Sequence, residues 1–157
     1  MRCMFLILAF VVLGAQAQES ADFDSAFAEL SQYYFAAARV GDIEVLSEFS
    51  EAGFPLDLKN PKGYTALMIA TYNGNEAAVD YLHGRGANAC VEDRHGNTAL
   101  MAAIFRGEFA IARTLLKREC DITQVNKAGY TAEDFAQVFG RKQLKQLLEQ
   151  RRAAPEV

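Results

Sequence analysis

Apolar positions along this chain recur at helical spacing, and the recurrence itself repeats. Leu67 and Ala70 share one face of a helix, and Leu100 and Ala103 do the same 33 residues later. Whole columns run at that interval: Ala37, Ala70, Ala103 and Ala136; Gly41, Gly74, Gly107 and Gly140; Phe49, Leu82, Leu115 and Leu148. A second apolar set follows each glycine, with Ile43, Val45 and Leu46 in the first unit, Ala78 and Val79 in the second and Ile111 in the third. The pattern predicts a helix, a glycine stop and a second helix, four times over. Self-similarity at such a period marks stacked-repeat proteins, whose units cannot bury their apolar faces alone.

Polar positions complete the unit. Asn60, Asp93 and Asn126 stand three residues before Gly63, Gly96 and Gly129. A short polar side chain that bonds its own backbone, followed by a glycine that accepts positive φ, predicts a turn. Thr65, Thr98 and Thr131 follow, placed to cap helix N-termini with their hydroxyls. The first unit lacks this Gly-x-Thr entry. In the fourth, Glu133-Asp134 replaces the Leu-Met pair, and Arg141, Lys142 and Lys145 decorate the last helix. Acids suit the positive end of a helix, and a polar outer face suits a terminal unit.

The stretches T-A-L-M-I-A at 65–70 and T-A-L-M-A-A at 98–103 resemble the ankyrin repeat, whose 33-residue unit carries T-P-L-H-x-A in its first helix. Ala66 and Ala99 stand in the proline column, Met68 and Met101 in the histidine column. The resemblance covers residues 28–152. It implies an all-α solenoid of four helix-turn-helix units, at about 28–59, 60–92, 93–125 and 126–152, with the first and last as caps. It also implies a binding surface on the concave side, made by turn tips and first-helix ends. Carried over column by column, the tips are Pro61, Lys62, Tyr64; Arg94, His95, Asn97; and Lys127, Ala128, Tyr130. The helix ends are Arg39, Val40; Tyr72, Asn73; Phe105, Arg106; and Val138, Phe139. The candidate partner-binding residues are Tyr64, Tyr72, Asn73, Arg94, His95, Asn97, Phe105, Arg106, Tyr130 and Phe139. Aromatic and arginine side chains are the types enriched at interface hot spots. Two or three of the five rings are expected to fold onto neighbouring units as core.

The N-terminus follows another logic. Arg2, the apolar run Met4–Leu13 and the small-residue site Ala15-Gln16-Ala17 describe a secretory signal peptide with cleavage near Ala17. The run falls short of the ~20 residues a membrane span needs, so no stable membrane anchor is expected. Residues 18–27 are expected to be a flexible segment and 153–157 a disordered tail. Removing Arg2 leaves 15 Lys+Arg against 20 Asp+Glu, which does not favour nucleic acid as a partner. The charge is lopsided. Glu19 to Asp57 holds nine acids and one base, and Lys59 onward holds 14 bases and 11 acids. An acidic N-terminal end and a mildly basic C-terminal end are expected, a dipole able to orient a charged partner.

Candidate chemistry is sparse. Once Cys3 leaves with the signal, Cys90 and Cys120 are the cysteines that stay, and export exposes them to oxidising conditions. Stacked units sit about 10 Å apart, whereas a disulfide needs Cα atoms within ~7 Å, so a bridge requires the loop to lean the right way. A structural disulfide and two unpaired thiols are both open. His83 and His95 form no close-spaced ligand set, and no metal or cofactor is expected. No nucleophile motif or phosphate loop is present, which reads as a non-enzyme.

The expected function is that of an exported, monomeric protein-binding module of a bacterial periplasm. The resemblance implies a supporting role beside an enzyme such as catalase, or an immunity role against a secreted toxin. The alternative is a redox- or haem-linked carrier using Cys90, Cys120 or His83.

Overall fold

The computed structural model describes residues 24–117 and 120–153. The expected signal peptide at 1–17, residues 18–23 of the expected flexible segment, and residues 154–157 lie outside the described residues. Residues 24–27, expected to be flexible, are helical instead. Polar composition alone does not exclude a helix, and Ala26 beside Asp24 and Ser25 is a strong helix former. Helix α1 runs over residues 24–40, and the boundary between two compact units, Met1–Tyr33 and Tyr34–Val157, falls within it. The repeats lie in the larger unit.

There the elements are α2 (Ile43–Glu51), α3 (Ala66–Tyr72), α4 (Glu76–Gly84), α5 (Ala99–Arg106), α6 (Phe109–Leu115), α7 (Ala132–Val138) and α8 (Lys142–Ala153). No strand occurs among the described residues. The threonine column begins the first helix of each of the last three units. Thr65 Oγ1 accepts from the Met68 amide, Thr98 Oγ1 from Met101 and Thr131 Oγ1 from Asp134, at 3.3, 3.4 and 3.1 Å. At the last of these, the Asp134 carboxylate reaches back to the Thr131 amide at 2.8 Å and completes a capping box. The preceding turns are built as their residue types require. Asn60 Oδ1 accepts from the amides of Lys62 and Tyr64, Asp93 Oδ1 from His95 and Asn97, and Asn126 Oδ1 from Ala128 and Tyr130.

Helices pack in two layers. First helices contact first helices, α3 on α5 and α5 on α7; second helices contact second helices, α2 on α4, α4 on α6 and α6 on α8. Alanine makes the first layer possible. Ala70 and Ala103 are fully buried and Ala136 is nearly so, and a larger side chain there would push adjacent helices apart. The leucine column fills the space between layers: Leu82, Leu115 and Leu148 are buried, each burial contributing about 1.5–3 kcal/mol. In the first unit Phe49 takes that column and packs with Tyr34 and Phe54, ring centroids 5.4 and 4.9 Å away.

Units are also tied by hydrogen bonds that match across the repeat. Asn75 Nδ2 donates to the Arg39 carbonyl at 2.6 Å, and Arg141 Nη2 to the Phe105 carbonyl at 3.1 Å. These satisfy carbonyls that the ends of α1 and α5 leave without helical partners. Between turn tips, the Lys127 amide donates to the His95 carbonyl at 2.9 Å. Gly96, at φ 77°, must be glycine for two reasons. Its backbone is left-handed, and a Cβ would lie 3.0 Å from the Lys127 nitrogen of the next unit. Gly129, at φ 82° in the last unit, has nothing within 4 Å of that position.

Candidate functional site

A groove of about 820 Å³ runs between the turn tips and the ends of the first helices. Asn60, Pro61, Lys62 and Tyr64 form part of the tip wall, joined by Asp93 and Asn97. Arg39, Tyr72, Asn73, Phe105 and Phe139 form the opposite wall, with Met68, Ile69, Met101 and Ala102 between. The arrangement follows from helical geometry. Met68 and Tyr72, and Met101 and Phe105, are four residues apart on single helices, so an apolar side chain lies one turn behind each ring.

The rings form a continuous ladder. Tyr72 stacks on Phe105 with centroids 6.0 Å apart and planes 17° from parallel, and Phe105 meets Phe139 edge-on at 4.9 Å. Phe139 also contacts Phe135 one turn back at 5.7 Å. The Arg106 guanidinium carbon sits 5.5 Å from the Tyr72 ring centroid, a cation–π pair on the helix-end wall. Tyr72 and Phe139 are 50% and 41% exposed, a large apolar area for water to cover.

Six of the ten sequence-predicted contact residues are brought together around this groove: Tyr64, Tyr72, Asn73, Asn97, Phe105 and Phe139. Arg94, His95, Arg106 and Tyr130 are exposed but do not line it. Of the five rings, Tyr64 packs against the core, Phe105 is half-buried within the ladder, and Tyr72, Tyr130 and Phe139 are exposed. Tyr130 leans on Phe135, centroids 6.3 Å apart. Asn97 also ties turns together: its amide donates to Asp93 at 3.2 Å and accepts from Asn126 at 2.8 Å. Asn73 turns its amide back to the Ile69 carbonyl at 2.7 Å.

Asn60, Asp93 and Thr98, read only as turn and cap residues, also line the groove, and the first-helix lining residues that column reasoning missed are Met68, Ile69, Met101, Ala102 and Phe135. Their signal was present in the helical period, since each precedes a ring of the ladder by three or four positions.

Cys90 and Cys120 are brought together from adjacent units, with Cα atoms 5.4 Å apart, a separation that a disulfide spans. The chain leans in as required. The Cys90 amide donates to Asn88 Oδ1 at 2.9 Å, and the Asn88 amide donates to Asp57 Oδ1 at 2.8 Å, bending the segment after α4. His83 is a half-buried residue of α4, and His95 an exposed one at a turn tip. Among the described residues no group of three or more His, Cys, Asp or Glu side chains is placed to hold a metal ion, and no helix is long and apolar enough to cross a membrane.

A family model described as ankyrin repeats (3 copies) matches residues 34–126, more than half of the 157-residue chain. A putative ankyrin repeat-containing protein of Treponema pallidum is 31% identical over 104 residues, which cover 66% of this chain and 35% of that protein. The ankyrin repeat and SAM domain-containing protein 6 of Rattus norvegicus is 34% identical over 107 residues, covering 67% and 12%. The human NF-kappa-B inhibitor epsilon is 42% identical over 62 residues, covering 40% and 12%. The chain thus spans 35% or less of the length of these relatives.

Proposed function

Because this chain belongs to the ankyrin repeat family, we propose that it is an exported, non-enzymatic module that grips a partner protein in the groove between its turn tips and first-helix ends. Ankyrin repeats in general mediate protein–protein interaction and are not themselves catalytic. The observation that carries the reading is the Tyr72–Phe105–Phe139 ladder, held on rigid helix ends and half open to water. Rings fixed by their neighbours lose little freedom on binding, which is what an affinity-giving contact requires.

Export rests on the Arg2, Met4–Leu13 and Ala15-Gln16-Ala17 pattern. A bridge between Cys90 and Cys120 fits that destination. It would close a loop across two units and consume the thiols that a redox carrier would use. The partner classes in view are a periplasmic enzyme such as a catalase and a secreted toxin.

Affinity capture from the exported proteins of the host tests the reading. The wild-type chain should retain one protein in a stoichiometric complex. A chain carrying Tyr72→Ala and Phe105→Ala should lose it. Equal retention by both would remove the groove from the account, and an intact Met1 on exported protein would remove the leader.

A further inference from the structure

We infer that the groove selects an acidic, extended segment of its partner that carries at least one bulky apolar side chain; this rests on the protein-binding reading above and names the chemistry of what is bound. The whole chain is acidic, at −4, yet its groove is not. Arg39 on one wall and Lys62 on the other are exposed and face the same space. Arg106 stands beside the ladder over Tyr72, and Arg94 and Lys127 continue the row of cationic turn tips. None of the five is in an ion pair among the described residues.

Carboxylates are placed elsewhere. One lines the groove, that of Asp93, and it is engaged by the amides of His95 and Asn97 and by the Asn97 side chain. In the first two units the exposed acids Glu44, Glu48, Glu51, Glu76 and Asp80 are carried on α2 and α4, the second-helix layer. In these two units, which supply both Arg39 and Lys62, these helix acids therefore sit on the second-helix layer and leave the groove walls cationic. A groove with uncompensated cations on both walls favours an anionic occupant, and it does so in a half-enclosed space where screening is weaker than on an open surface.

Shape and apolar content then decide the class of anion. The exposed Tyr72 and Phe139 rings and the half-buried Phe105, above a floor of buried Met68, Ile69 and Met101, give an apolar side chain a surface to pack on. A polyanion such as nucleic acid carries no aliphatic side chain to place there, whereas a peptide does. Length is consistent with a peptide. Four units stacked about 10 Å apart give roughly 30 Å of groove, the reach of about nine extended residues at ~3.3 Å each.

Panning a display library of random peptides about 12 residues long on the intact chain tests this, followed by anisotropy titration of the winners. The expected winners are net negative and contain an aromatic or large aliphatic residue. The double variant Arg39→Glu, Lys62→Glu should weaken them at least about tenfold, while Arg113→Glu on α6, outside the groove, should leave affinity unchanged. Thermal melts of each variant check folding. Winners that are neutral or basic, yet lost on Tyr72→Ala, would overturn the acidic preference and leave the protein-binding groove standing. Acidic winners that bind Tyr72→Ala and Phe105→Ala as well as wild type would overturn both. A labelled single-stranded oligonucleotide that bound more tightly than any peptide, with the same dependence on Arg39 and Lys62, would replace the protein partner with nucleic acid.

Discussion

Tyr72 and Phe105, 33 residues apart, stack ring on ring at the ends of α3 and α5, 6.0 Å between centroids. The contact crosses a boundary between repeat units, so it serves both the stack and the groove. The two roles separate by exposure. Tyr72 is 50% exposed, so Tyr72→Ala should cost about 1 kcal/mol or less, a melting shift of a few degrees. Partner binding should fall by tenfold or more, as for a central aromatic anchor. Calorimetric melting and a binding isotherm on the same variant check both numbers.

Stacking of the units can be tested on a pair of glycines that share a backbone. Gly96 and Gly129 have φ of 77° and 82°, but a Cβ on Gly96 would press on the Lys127 backbone of the next unit, and one on Gly129 would meet nothing. Gly129→Ala should cost only the left-handed conformation, about 1–2 kcal/mol. Gly96→Ala should cost more, with a lowered denaturation midpoint. Equal losses would mean that the tips of units three and four are not in contact in solution.

A pH effect follows from two carboxylates. Hydrogen bonds from the Thr131 amide and hydroxyl hold the Asp134 carboxyl below its ordinary range, and the Thr123 hydroxyl and amide do the same for Asp121. Both groups bind protons more weakly folded than unfolded, so their contribution is present above the usual carboxylate range and is lost as pH falls through the depressed folded value. Urea midpoints measured from pH 6 down to pH 2 should therefore fall less steeply in the double variant Asp121→Asn, Asp134→Asn. An unchanged slope would show that these bonds are not kept in solution.

The Cys90–Cys120 pair gives a fourth test. With a sequence separation of 30, a bridge should add roughly 3–4 kcal/mol in the chain-entropy model. Exported protein unfolded without reductant should show no free thiol, and adding reductant should lower the melting temperature by roughly 10 °C. Two reactive thiols before reduction would contradict the bridge.

The architecture was legible because each repeat column has one dominant physical cause. A threonine that must cap, a glycine that must turn left-handed and an alanine that must let a helix approach leave little choice of residue, so they recur. The groove was legible only in part. Tyr72, Phe105 and Phe139 follow from their columns, but whether a ring lies down or stands out depends on its neighbour. Tyr64 packs on the core, whereas Tyr130 leans on Phe135 and stays exposed. Met68 and Met101 were read only as the histidine column of the repeat, and a column does not say that a groove opens beside a buried side chain. Sequence counts gave the end-to-end charge difference; the sorting of acids onto α2 and α4 and cations onto the tips needs the layers themselves. The approach of Cys90 to Cys120 was out of reach for the same reason. It goes with hydrogen bonds from the Asn88 and Cys90 amides to Asp57 and Asn88, which no repeat column announces.

Hydrogen–deuterium exchange of the intact chain, free and bound to its captured protein, measures the occupied face directly. The account predicts slowed exchange confined to the turn tips around Lys62–Tyr64 and Arg94–Asn97 and the helix ends around Tyr72, Phe105 and Phe139, with α2, α4 and α6 unchanged. Protection on α2, α4 and α6 with the tips and rings unaffected would contradict it.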